Sequence, residues 1–542
     1  MLSPFNCRGR VVAPTLLQTT SALPSNTLEN QQSSVLRRVL KTRHQPHPRL
    51  TENPPEVSER TTAVPRPLPQ NRHSDWDLPE EFPTELCPTL GEDINKVEAG
   101  MTPVVNPRRI DDLIDEMLTR LIPEQPQPLT IEEWVKRYPA NQQADLIAAH
   151  EKAKAWCMPK NFSSVQTFLK LETSTKATDP RNITPRVPEF LSILGPFVNS
   201  IENAIHHLPY LVKGKNNSAR DRKIFRKLNN YQVFVETDYS RFDASLSVWL
   251  LQKIERKLFR VFYPTTLFPI LDLYLDQLFH ITGKTAFGLH YSVQGTRASG
   301  DAHTSIMNGL INRFATQWAM QHVPSHLWAS IHEGDDGLVA CDLSVKDTCL
   351  YNLSCINLLG LCMRDVLVHE SIHDAMFCGR LLVANELGTI TSICDVPRTL
   401  AKYGFTISQL DPLSALIAKS LSYNSTDSNT PIIGPLSYKV LELHRPLIKK
   451  AIRKVKRSRS FSNFDKAQIS VYAHQLGGEP NISPQARAAV ELKWGIPMDT
   501  QIEIEQIIMN WSYIPKTWPT IFVDQVHVDT DDVAYFNWSS IW

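Results

Sequence analysis

Two adjacent carboxylates in a tight-turn sequence, Gly334-Asp335-Asp336-Gly337, constrain this chain more than any other feature. They lie between two short, mostly apolar runs, 328–333 and 338–341, that read as strands. Strands joined by so few residues form a hairpin, and the glycine supplies the backbone freedom its turn needs. The acids then stand at the tip, pointing into solvent, while the apolar strands hold the backbone beneath them. Neighbouring carboxylates held this way repel each other and call for cations. Hard oxygen donors of this kind suit Mg²⁺ or Mn²⁺. A pattern this short is not specific by itself, so its meaning depends on what lies upstream.

The charge distribution says what kind of partner to expect. A formal net charge of +1 over 542 residues conceals strong local imbalance. Residues 160–230 carry twelve Lys/Arg against five Asp/Glu, and residues 445–459 carry eight with no acid. Residues 461–542 reverse the sign, with four Lys/Arg against ten Asp/Glu. Basic regions inside a neutral protein predict a positive channel for a polyanion rather than a wholly basic binder. The nine Cys include no Cys-x-x-Cys spacing. That argues against a zinc cluster or disulfide framework and for a reducing compartment. No run of 18 apolar residues is present, so no membrane-spanning helix is expected.

Residues 1–75 are rich in Pro, Ser, Thr and Arg and read as a disordered basic arm, though the first fifty also resemble an organelle-targeting peptide in composition. Helical spacing is expected over 110–122, 130–160, 244–261, 300–320 and 344–360. Residues 231–238 read as a strand, and 377–384 with 387–391 as a strand pair. Strands interleaved with helices predict an α+β fold.

Three further patterns precede the hairpin. In 236–243, Asp238 ends the strand and Asp243 falls where the next helix starts; Asp243 could equally be a simple helix cap. In 295–308, Gly295 and Gly300 make a pliable loop, and Asp301, Thr304 and Asn308 share a polar helix face suited to hydrogen-bonding a ribose. Between 170 and 186, Lys170, Lys176, Arg181 and Arg186 punctuate a Pro-stiffened segment that could lay its cations on a triphosphate or simply be a solvated loop.

The order of these pieces (basic segment, Asp-x₄-Asp, Ser-Gly-x₃-Thr-x₃-Asn, Gly-Asp-Asp) resembles the RNA-dependent RNA polymerases of positive-strand RNA viruses. Arg297-Ala-Ser299-Gly300 and Glu333-Gly-Asp-Asp-Gly337 are most similar to tombusvirus-like and nodavirus-like replicases, with kinship to flavivirus-type enzymes. Leu359 to Arg364 resembles the family's fourth palm motif, and Phe377 to Arg380 its fifth. The resemblance covers roughly 165–400.

It implies a right-hand polymerase of fingers, palm and thumb, with an antiparallel palm sheet flanked by helices. The implied segments are an N-terminal extension and fingers over 76–230, palm over 231–261 and 295–392, a fingers insertion over 262–294, and thumb with a C-terminal extension over 393–542. It implies nucleotidyl transfer with two Mg²⁺ or Mn²⁺ ions held by Asp238 and Asp335, with Asp336 and the Tyr239 carbonyl assisting. Lys176, Arg181, Arg186 and Arg364 would hold the triphosphate. Arg364 stands where relatives often carry a Lys proton donor, and His369 is the alternative donor. Asp243, Ser299 and Asn308, supported by Thr304, would select ribose. Gly295 and Gly300 would gate the loop. Lys170, Arg297, Arg380, Lys449, Lys450, Arg453 and Lys454 would contact RNA. Implied partners are RNA template, nascent RNA and NTPs, with other viral replication proteins and host membranes reached indirectly. The implied place is the host cytoplasm, in membrane-associated replication complexes. A reverse transcriptase is disfavoured by the small acid at Asp243. A plain nuclease gives no reason for the Ser299–Asn308 face, and a non-catalytic descendant would be expected to have lost one of the three acids.

Overall fold

Alternation of apolar side chains on both faces builds a central sheet that is covered on both sides. Strand β3 (Val233–Thr237) runs between β7 (Asp336–Cys341) and β8 (Leu367–His369), and β6 (Trp328–Glu333) lies outside β7. All three pairings are antiparallel, with Thr237 opposite Gly337 and Glu333 opposite Asp336. Val233, Val235, Val339 and Cys341 pack with Met307, Leu310, Ile311 and Phe314 of the helix Thr304–Ala319. Phe234, Ile331, Leu338 and Ala340 face the other way, onto Ile224 and Leu228 of the helix Asn217–Leu228 and onto Phe377 and Leu382. Two buried faces make the inner strands run apolar rather than strictly alternating.

The computed structural model describes residues 110–119, 127–154, 164–170, 181–285, 288–364, 366–406, 410–458, 466, 468–469, 471 and 479–515. The basic arm expected over 1–75 and Lys176 lie outside the described residues.

A second four-stranded sheet has the order β2-β1-β4-β5. It joins β1 (Ser164–Leu169) and β2 (Asn182–Ile183) to the hairpin of β4 (His280–Thr285) and β5 (His290–Gln294). Its β1–β4 pairing is parallel, and the other two are antiparallel. A third, antiparallel sheet holds β9 (Met376–Phe377), β10 (Arg380–Ala384) and β11 (Ile390–Cys394). Beyond it, helices Val396–Tyr403, Pro412–Thr426, Ile433–Leu443, Ile448–Arg457, Pro484–Trp494 and Met498–Met509 share two apolar clusters, and Trp494 and Trp511 pack against one of them. The fold is a mixture of helices and largely antiparallel sheets.

Tertiary contacts moved several expected boundaries. The helix expected over 244–261 is broken after Phe242–Ser245 and restarts at Val248–Leu250. The main-chain carbonyl of Leu246 accepts from Thr296 N at 2.6 Å instead of continuing the helix. The restarted helix passes through a π-helical stretch, Leu251–Arg256, before Lys257–Phe262. Pro139 divides the helix expected over 130–160 into short turns before it and Ala140–Lys154 after it. The strand expected at 387–391 starts at Ile390, because Asn385 Oδ1 accepts from Leu387 N and Thr389 N and holds the turn around Gly388 (φ +69°).

Candidate active site

The β6–β7 hairpin closes through Gly334 and Asp335, the two residues between the Glu333–Asp336 pair. Gly334 has φ +63°, as the first position of a type II′ turn requires. Two neighbours then fix the turn. A Cβ on Gly337 would come within 2.3 Å of Thr237 Oγ1, so only glycine lets β7 lie this close to β3. From the helix side, Asn312 is fully buried and donates Nδ2 to the carbonyls of Asp335 at 2.8 Å and Gly334 at 3.3 Å. Its Oδ1 accepts from the buried hydroxyl of Tyr239 at 3.1 Å. One amide therefore ties the Asp335 turn to the residue that follows Asp238. Asn312 was not singled out in the sequence. The available signal was its place one helical turn beyond Asn308, in line with Thr304.

Asp238 follows β3. Its Oδ1 accepts from Tyr239 N at 2.9 Å, and its Oδ2 faces Arg364 Nη1 at 3.0 Å. Both partners of that ion pair are 60% exposed, so it is worth at most about 1 kcal/mol and opens readily. Arg241, in the left-handed region at φ +53°, then turns the chain so that Asp243 enters the short helix Phe242–Ser245.

Negative charge accumulates here. Asp335 and Asp336 keep solvent-accessible surface yet are densely surrounded by protein. Burial raises the Asp335 carboxyl above its ordinary range, as do the charges of Asp243 and Asp238, while Arg181 pulls it down. Burial, with the charges of Asp335, Asp238 and Glu333, pushes Asp336 up to about 6, although the nearby Cys378 thiol, which donates to Glu333 Oε2 at 3.7 Å, pulls the other way. Acids distant in sequence thus share one electrostatic neighbourhood with the Arg181 cation. Among the described residues, no three His, Cys, Asp or Glu groups form a ready metal-holding cluster.

Beside these acids sits a hydrogen-bonded set of polar side chains. Asp243 accepts from Ser299 Oγ at 2.6 Å and from Asn308 Nδ2 at 2.7 Å. The structure brings together the three groups expected to meet a ribose. Thr304 is displaced from that role: its hydroxyl donates to the carbonyls of Ala298 and Asp301 and secures the helix start. Asp301 lies in the preceding turn, not on the helix face expected for it.

Several expected contacts are corrected. Arg186 cannot serve a triphosphate, because Nε pairs with Asp301 at 2.8 Å, both side chains are 2% exposed, and its other nitrogens donate to the Gln277 and Leu278 carbonyls. Arg297, expected to touch RNA, is buried against Glu255, His303 and Asn308. Arg380, also expected on RNA, is held by Asp427 at 2.8 Å and by Ser392. His369 is committed to Glu236 at 2.6 Å. Gly295 and Gly300 have packing reasons rather than pliability: a Cβ would meet the Leu246 carbonyl at 2.9 Å and Pro185 Cα at 2.7 Å, respectively. Lys170 follows β1 on the surface, its main-chain N donating to the Arg181 carbonyl. Lys449, Lys450 and Arg453 are exposed on the helix Ile448–Arg457, whereas Lys454 pairs with Asp411 at 2.7 Å.

The family described as viral RNA dependent RNA polymerase matches residues 89–366, more than half of the chain. The chain belongs to this family. Among curated relatives, the RNA-directed RNA polymerase of Pariacoto virus is 27% identical over 291 residues, covering 52% of this chain and 29% of the relative. That of greasy grouper nervous necrosis virus is 25% identical over 280 residues, covering 50% of this chain and 28% of the relative. The cucumber necrosis virus polymerase is 25% identical over 374 residues, covering 64% and 43%. The matched segments therefore span well under two thirds of these relatives' own lengths. The polymerase-family match contains Arg181, Asp238, Asp243, Ser299, Asn308, Asn312, Asp335, Asp336 and Arg364. Arg380 and the basic helix lie beyond it.

Proposed function

We propose that this chain is the RNA-synthesising enzyme of a positive-strand RNA virus, adding NTPs to an RNA 3′ end under the direction of an RNA template. The observation that carries this reading is the convergence at the β6–β7 turn: the β3–β7 register and the Asn312 amide bring the Asp335 turn to Tyr239, beside Asp238, with Asp243 and the Arg181 cation close enough to act on the Asp335 carboxyl. The sheet β6-β7-β3-β8 would be the palm, with parts 231–261 and 295–392. The sheet β2-β1-β4-β5 would belong to fingers over 76–230 and 262–294, and the helices after 393 to a thumb.

The residues fit a divalent cation. Their donors are hard carboxylate oxygens, burial and then the accumulated charge raise Asp335 and Asp336, and a guanidinium already neutralises Asp238. Asp238 and Asp335, with Asp336 and the Tyr239 carbonyl beside them, would hold two Mg²⁺ or Mn²⁺ ions. Such ions, when bound, supply positive charge to the attacking and leaving oxygens of phosphoryl transfer. The chain's own part is positioning. Arg181, close enough to be felt at Asp335, would take the triphosphate charge. Arg364 would exchange Asp238 for a phosphate oxygen. It stabilises charge rather than giving up a proton, since a guanidinium stays protonated. Asp243, held by Ser299 and Asn308, keeps acceptor capacity for a ribose 2′-hydroxyl.

RNA template, nascent RNA and NTPs are the proposed partners. No helix among the described residues is long and apolar enough to cross a membrane. Work in membrane-associated complexes of the host cytoplasm would run through other viral replication proteins. The test is primer extension on an RNA template by the purified chain with Mg²⁺ and NTPs. Template-dependent incorporation that is lost in Asp335→Asn is expected. No incorporation, or equal activity in Asp335→Asn, would overturn the reading, and preferential use of dNTPs would favour a reverse transcriptase.

A further inference from the structure

Glu255 and Arg297 form a buried ion pair that the proposed chemistry leaves unused. Glu255 is fully buried in the π-helical stretch Leu251–Arg256, and both its oxygens are taken by the Arg297 guanidinium. Burial opposes its ionisation, but the Arg297 guanidinium outweighs burial and holds the carboxyl well below its ordinary range, so the pair is charged. A buried ion pair is a poor source of stability, because apolar residues of similar volume serve as well or better. Its retention needs another use, and the remaining contacts of Arg297 supply one.

Arg297 Nε donates to Asn308 Oδ1 at 3.0 Å, and Asn308 Nδ2 donates to Asp243 Oδ1 at 2.7 Å. An asparagine amide can normally rotate by half a turn and exchange its oxygen for its nitrogen. Here one neighbour has only donors and the other, ionised, only acceptors. The reversed amide would set NH₂ against the guanidinium and oxygen against the carboxylate, so one orientation survives. The main chain reinforces this arrangement, since Arg297 N donates to the Asp243 carbonyl at 2.7 Å. Glu255 keeps the guanidinium from turning away.

We propose that Glu255 and Arg297 are positioning residues that lock the Asn308 amide, and through it the Asp243 carboxylate, in the state that prefers ribose over deoxyribose. This rests on the reading that Asp243, Ser299 and Asn308 face the nucleotide sugar. Neither Glu255 nor Arg297 touches the sugar; both act through Asn308. With the lock gone, only Asp243 still orients the amide, and the reversed orientation becomes accessible. In that orientation it repels Asp243 and withdraws a donor from the 2′-hydroxyl site.

The experiment compares kcat/KM for one NTP and its dNTP on a single RNA primer–template. It uses the wild type, a Glu255→Leu/Arg297→Met double variant, Arg297→Lys and Asp243→Ala, with a circular-dichroism melt of each. The double variant removes both charges together and so avoids stranding either one. A fall in the NTP:dNTP ratio of about tenfold, carried by a higher NTP KM with dNTP constants near wild type, is expected. A folded double variant whose ratio stays within about twofold of wild type would overturn the proposal. Should the double variant fail to fold, Arg297→Lys carries the same two outcomes, because it keeps a cation beside Glu255 but lacks the fork that reaches both partners. Asp243→Ala separates the two levels. An unchanged ratio in Asp243→Ala sinks the sugar-site reading itself, whereas a collapsed ratio there with unchanged lock variants sinks only the lock.

Discussion

Asn312→Ala is the substitution whose consequences the structure specifies most fully. It strands two buried groups, the Gly334 carbonyl and the Tyr239 hydroxyl, and takes a partner from the part-buried Asp335 carbonyl as well. At about 1–3 kcal/mol for each stranded group, unfolding free energy falls by about 2–6 kcal/mol. That is a sizeable share of the roughly 5–15 kcal/mol typical of a folded domain, so the variant folds but melts earlier. The larger effect is on chemistry. Asn312 holds the main chain of Asp335, and a displacement of about 1 Å at a reacting group costs on the order of a hundredfold. Steady-state primer extension should therefore show kcat down by about a hundredfold, with NTP KM within about threefold of wild type. Tyr239→Phe is the control. It removes one bond to Asn312 but leaves both turn bonds, so it costs about 1–2 kcal/mol of stability and less than about tenfold in kcat. The two substitutions delete the same bond, so the double variant should be milder than the sum by about 1 kcal/mol. Wild-type kcat in Asn312→Ala, or strict additivity in the double variant, would refute the tether.

Other outcomes follow from the same geometry. Asp336 has its folded carboxyl raised to about 6, above the ordinary 3.8 of the unfolded chain, so the folded state binds the extra proton. Its contribution to stability is full below about pH 4 and is lost as pH rises through about 6; in metal-free protein Asp336→Asn should remove that decline, and added Mg²⁺ should raise the wild-type melting temperature more at pH 7.5 than at pH 5. A pH–melting profile unchanged by Asp336→Asn would contradict this. Arg186→Ala strands the buried Asp301 and should cost about 3–5 kcal/mol, whereas Arg181→Ala should leave melting nearly unchanged and raise NTP KM; the reverse pattern would restore Arg186 to the nucleotide. Neutralising Lys449, Lys450 and Arg453 together should lower the slope of log affinity against log salt for single-stranded RNA by about 2, at roughly 0.7 per phosphate contact. An unchanged slope would remove the basic helix from the RNA path.

The parts of the site that could be read from sequence are those set by local rules. The Gly-Asp-Asp-Gly turn declared its hairpin because apolar strands flank it; Trp328–Glu333 matches the expected strand, and Asp336–Cys341 starts two residues before the expected 338–341. Asp243, Ser299 and Asn308 could be grouped because motif order brought them together. What could not be read was the fate of a charge. Arg186 sits in a basic run that suggests solvent, but its partner Asp301 lies 115 residues away. Glu255, among Lys253, Arg256 and Lys257, reads as one more solvated helix acid, and only the fold shows it buried under Arg297. The break at Leu246 was equally hidden, because it answers a hydrogen bond from Thr296. Such long-range pairings leave no trace in residue spacing.

The most direct test of the central claim, that Asp238 and Asp335 hold divalent ions in common, is Mn²⁺ binding followed by electron paramagnetic resonance in the presence of NTP. The wild type, Asp238→Asn, Asp335→Asn and the double variant are compared. Shared ions predict that each single change removes most of the tight binding and that the second adds little. Independent, additive losses, or tight Mn²⁺ binding that survives in either single variant, would contradict it.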